Sequence, residues 1–82
     1  NEYSIFILKN KLMESRRKLE EKIEQIKRIA SNEEKRIAEY NLLLTLPQTD
    51  DVKLQIKNLL SSSLERYKRY REELENLEWL RD

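Results

Sequence analysis

Along the first half of the chain, one position in every seven is apolar. The series opens with Ile5, Leu12, Leu19 and Ile26 and continues through Glu33 to Tyr40. With that series as heptad position d, the a positions are Lys9, Arg16, Ile23, Ala30, Ile37 and Leu44. Position d is apolar except at Glu33, whereas a turns apolar only from Ile23 onward. A seven-residue period marks helices that pack side by side. It predicts a helix over about 3–46 whose two halves meet different surroundings. Ser31 followed by Glu34 fits a capping box, which would start a new helix there. The heptad frame crosses this point without a shift, so a continuous helix is expected, with a kink or break at Ser31-Asn32 as the alternative. Tyr3–Leu8 is β-branched and aromatic, and a short strand is the second reading of that stretch.

The pattern stops at Leu46-Pro47-Gln48-Thr49-Asp50-Asp51, which holds the only proline of a chain without glycine. Proline lacks a backbone N–H and pushes the preceding residue out of helical geometry, so the first helix should end near Leu46. Thr49 or Asp50 can cap a second helix, and Asp50 and Asp51 put negative charge at its positive end. The turn is placed at 47–50 and the second helix at about 51–80. There the a positions are Leu60, Tyr67 and Leu74, and the d positions Ile56, Ser63, Tyr70 and Leu77. Ser61-Ser62-Ser63 weakens intrinsic helicity, but the frame survives it and only Ser63 points inward.

Folding at the corner sets the two frames against each other. Leu44 meets Ile56, Tyr40 meets Leu60, and Ile37 meets Ser63. Glu33 meets Tyr67, Ala30 meets Tyr70, Ile26 meets Leu74, and Ile23 meets Leu77. The residue numbers in every pair add to the same total, as a hairpin requires. Small faces large at Ala30–Tyr70 and Ile37–Ser63, which suits close packing. The Tyr67 hydroxyl is expected to donate to the Glu33 carboxylate. Flanking charges suggest the cross-helix pairs Lys27–Glu78, Glu34–Arg71 and Lys22–Glu73. The predicted fold is all-α: a two-helix antiparallel coiled-coil hairpin with Leu19 as the outermost seam residue.

Two apolar surfaces remain outside that seam. Ile29, Leu43, Val52, Leu59 and Leu80 share one edge, with Leu64 on the opposite edge. The first helix outruns the second by roughly 17 residues, or about 25 Å at helical rise. This N-terminal overhang carries Ile5, Phe6, Ile7, Leu8, Leu12 and Met13. Trp79 falls at an outward position, and Leu42, Leu46 and Leu54 make a small apolar tip around the corner. A lone hairpin of this size buries little and ordinarily needs a staple or a partner. The expected partner is a second copy, docked along the shared edge as a dimeric helical bundle with the overhangs pairing at one end. A further protein subunit is the other expected partner.

Composition narrows the chemistry. Of 82 residues, 40% are charged and 38% hydrophobic, the mix of long helices. The net charge of +1 supplies no global field toward nucleic acid or membrane. Histidine and cysteine are both absent, which excludes Ser-His-Asp and Cys-His catalysis, disulfides and the common zinc sites. Without glycine there is no phosphate-cradling loop. Carboxylate pairs such as Glu20/Glu24 and Glu72/Glu75 read as partners of neighbouring lysines and arginines. No enzyme activity, cofactor or metal is expected. No apolar run reaches the ~20 residues that span a bilayer, so membrane insertion is not expected. No signal peptide is visible and the chain starts at Asn1, so it reads as part of a larger protein, expected in the cytoplasm or nucleus.

Arg66, Lys68, Arg69 and Arg71 interleave with Tyr67 and Tyr70 and form the candidate anion-binding set, a phosphate-tracking surface for nucleic acid or anionic lipid. The two tyrosines fall on the seam, and acids lie four residues away in Glu65/Arg69, Lys68/Glu72 and Arg71/Glu75. This ranks nucleic acid below protein as a partner. Lys9, Lys11, Arg16, Arg17 and Lys18 form a second basic patch. Over about residues 15–80 the layout resembles the antiparallel hairpins, called homology region one, that Rho-family GTPases recognise in their effectors. Leu60, Ser63, Leu74 and Leu77 carry the likeness in the second helix, while Ile37-Ala38-Glu39 stands where that family has a Gly-Ala step. The resemblance implies a regulatory effector hairpin as the runner-up function. The leading expectation is a non-enzymatic coiled-coil oligomerisation and protein–protein interaction module of a larger scaffold or adaptor subunit.

Overall fold

In the computed structural model, which describes all 82 residues, α1 runs over Glu2–Leu44 and α2 over Asp50–Arg81, with no strand. Asn1 caps α1: its side-chain oxygen accepts from the Tyr3 N–H at 2.7 Å and, more weakly, the Ser4 N–H at 3.4 Å. The Tyr3–Leu8 stretch is therefore helix, not strand. The helix also passes Ser31-Asn32 unbroken. The turns of α1 on both sides of that point share one buried face, with Ile26, Ala30 and Glu33 buried, so tertiary packing overrides the local capping signal.

The helix ends two residues earlier than expected. Leu46 precedes Pro47 and cannot stay helical, so Thr45 becomes the cap residue. Its hydroxyl donates to the Leu42 carbonyl at 2.6 Å, and the Gln48 amide donates to the Leu43 carbonyl at 3.3 Å. These bonds satisfy carbonyls that a helix end otherwise leaves open. No residue of the turn needs positive φ, so the corner closes without glycine. Thr49 caps α2 by accepting from the Val52 N–H at 3.3 Å, with Asp50 and Asp51 in the first turn.

The helices lie antiparallel in a rod of 72 × 16 × 14 Å. Ile23, Ile26 and Leu74 form the apolar centre, with Leu19, Tyr70 and Leu77 packed against it. Ala30 and Ile56 extend the buried line. Ile37, Tyr40, Leu44, Leu60 and Tyr67 are half-buried along the same seam. Every residue from Asn1 to Lys18 is exposed, because α2 stops at the level of Leu19. No helix is long and apolar enough to cross a membrane.

Candidate functional site: a buried charge centre and an uncovered helix end

Halfway along the seam the apolar line is interrupted by two buried polar residues, Glu33 (1% exposed) and Ser63 (0%). Burying a charge is costly unless it is paired. The pair comes from Arg66, whose guanidinium donates to one Glu33 oxygen at 2.9 Å and to the Ser63 hydroxyl at 3.1 Å. Arg36 donates to the other Glu33 oxygen at 3.0 Å. No buried side-chain nitrogen or oxygen is left without a partner. The Arg66 hydrogen bond holds the Glu33 carboxyl below its ordinary range against the opposing effect of burial, helped by Ser63 and by the charges of Arg66 and Arg36. The same bond raises Arg66.

The expected Glu33–Tyr67 bond is not formed. Tyr67 reaches past the seam, and its hydroxyl donates to Glu34 at 2.8 Å. That bond, with burial second, raises the Tyr67 phenol. A rigid ring leaving the seam carries its hydroxyl to the edge, whereas the long arginine stem one residue earlier can bend inward. Arg66 is thus a structural ion-pair partner rather than a free member of the anion-binding set. Lys68, Arg69 and Arg71 remain exposed. Tyr67 and Tyr70 are half-buried.

The flanking pairs are also corrected. Lys27–Glu78, Glu34–Arg71 and Lys22–Glu73 do not form; the one salt bridge between the helices is Arg66–Glu33. The surface pairs within helices are Arg16–Glu20, Arg17–Glu21, Lys18–Glu14 and Lys27–Glu24, while Glu65/Arg69, Lys68/Glu72 and Arg71/Glu75 stay open. Long exposed side chains lose rotamer freedom on pairing and gain only about 0–1 kcal/mol, so such contacts are weakly specified.

The uncovered surface is concentrated at the other end of the rod. Ile5, Phe6, Leu8, Leu12 and Met13 are all exposed on the overhang. Where α2 ends, Leu12, Leu19 and Leu80 line an open notch with Ser15, Arg16 and Arg81. Trp79 is 79% exposed, and Leu80 is exposed as well. Along the shared edge Leu43, Val52 and Leu59 are exposed and Ile29 is half-buried. Leu42, Leu46 and Leu54 are exposed at the corner. No group of three acidic, histidine or cysteine side chains is arranged to hold a metal ion. Comparison with protein-family models, with characterised proteins and with solved structures finds no match to this chain.

Proposed function

We propose that this chain is a non-enzymatic helical-hairpin interaction module that self-associates as a homodimer and thereby joins copies of a larger scaffold or adaptor subunit. The observation that carries the reading is the exposed apolar surface at the start of α1, where every residue from Asn1 to Lys18 is exposed. The same segment exposes seven large hydrophobic side chains, Tyr3, Ile5, Phe6, Ile7, Leu8, Leu12 and Met13. A contiguous uncovered apolar surface on a small chain marks a contact with another molecule. Removing that surface from water stabilises the overhang and the assembly together.

The hairpin seam itself favours a structural over a catalytic role. Its one buried charge centre is closed, with the Glu33 side chain 2% exposed and both carboxylate oxygens occupied. Light scattering from micromolar solutions tests the reading. Dimer mass is expected, with a melting temperature that rises with protein concentration because folding and assembly are linked. Monomer mass across that range, with full helix content retained, refutes it.

A further inference from the structure

We infer that the Glu33–Ser63–Arg66 layer is a register lock: it holds α2 at one level along α1, a choice that the apolar seam and the corner leave open. This holds whether the chain is one hairpin or part of a dimer.

The seam by itself fits a second register. Sliding α2 by one heptad puts Leu60, instead of Tyr67, opposite Glu33. Ile37 then meets Ile56, Ile26 meets Tyr67, Ile23 meets Tyr70 and Leu19 meets Leu74. Apolar still faces apolar along the line. The corner allows the slide too. Leu44, the last residue of α1, comes level with Thr49, the cap of α2. A connection as short as Thr45–Thr49 joins antiparallel helix ends that stand level.

Glu33 is what rejects that register. In the observed one, the places one and four residues before Tyr67 hold Arg66 and Ser63. Arg66 donates to the Glu33 carboxylate at 2.9 Å and to the Ser63 hydroxyl at 3.1 Å. Ser63, 0% exposed, is small enough to leave the carboxylate room. In the slid register the same two places hold Leu59 and Ile56, and Arg66 is carried about 10 Å away. A slide in the other direction brings Glu73 and Tyr70 there, an acid against an acid. Arg36 lies on the same helix as Glu33 and stays with it in every register, so the cross-helix partner alone makes the difference. Taking one partner from a buried ion pair is strongly destabilising, whereas exchanging the pair for apolar side chains is often neutral. The layer thus adds little to the right register and penalises the wrong ones heavily, as a polar residue in a coiled-coil seam does when it sets register.

Electron–electron double resonance reads the register, because the native chain has no cysteine and two introduced ones carry the only spin labels. Glu39→Cys and Glu75→Cys mark exposed sites on the two helices. They stand about 21 Å apart along the rod in the observed register and about 31 Å apart with Leu60 opposite Glu33. Labelled chain is diluted in unlabelled chain, so only distances within one chain are read. The labelled native sequence is expected to give one distance. Adding Glu33→Leu is expected to leave helix content and melting temperature no lower. It should also add a second distance, displaced by one heptad, in about a tenth of the chains or more. A folded Glu33→Leu chain that keeps the single native distance overturns the proposal, because the apolar seam and corner then suffice. Loss of the helix signal in Glu33→Leu overturns it as well, because the layer then supplies stability rather than choice.

Discussion

Replacing Glu33 with glutamine keeps its shape and one acceptor oxygen but removes the charge at the centre of the seam. Glu33 accepts from Arg66 at 2.9 Å and from Arg36 at 3.0 Å. A hydrogen bond to a charged group contributes about 1.5–3 kcal/mol when shielded from water. An exposed pair within one helix contributes only about 0.2–0.5 kcal/mol. The carboxylate is buried but both guanidinium partners still touch water, at 38% and 53% exposure, so the low end of the range applies. Glu33→Gln is expected to cost about 1–2 kcal/mol at pH 7, or about 5–15 °C in melting temperature for a chain of this size. The sign of the pH dependence follows from the lowered carboxyl of the folded state. Its stabilisation is complete above the unfolded carboxylate range and is lost as pH falls through the folded value. The gap between native and Glu33→Gln should therefore be full at pH 7 and close in acid. Glu33→Leu serves as the contrast. It adds apolar burial while Arg66 swings to solvent, and it should melt no lower than native. Circular dichroism melts of the three proteins at pH 7 and pH 2, at one protein concentration, measure all of this. A Glu33→Gln protein that melts with the native one at pH 7, or a gap that persists unchanged at pH 2, refutes the reasoning.

Three further outcomes follow from the hairpin. Ile26→Ala removes a side chain from the apolar centre beside Ile23 and Leu74; a cost of about 2–5 kcal/mol is expected, read as loss of helix signal at 25 °C. Thr49→Ala removes the cap of α2 and should cost about 1 kcal/mol in urea unfolding, with Thr49→Ser restoring most of it. In an alkaline ultraviolet titration, one of the four tyrosines should ionise later than the rest, and Tyr67→Phe should delete that late step, because the bond to Glu34 and partial burial raise this phenol. Being raised in the fold, it favours the folded state below the ordinary tyrosine range and ceases to do so as pH climbs through the folded value.

The seven-residue spacing of Ile5, Leu12, Leu19 and Ile26, the lone proline, and the constant sum across the two frames were enough to lay out the hairpin and to name the residues that line its seam. Such features are legible because periodicity and proline sterics act locally, on any chain that carries them. Only the folded arrangement decided which side chain answers Glu33. Tyr67 stood opposite in the frame, yet Arg66 took the place because a flexible cationic stem can bend into a buried site that a rigid ring points past. It also decided that Thr45 and Gln48 finish α1, and that the drawn cross-helix ion pairs stay apart. These outcomes depend on side-chain reach and on competition with water, and neither is written in residue spacing.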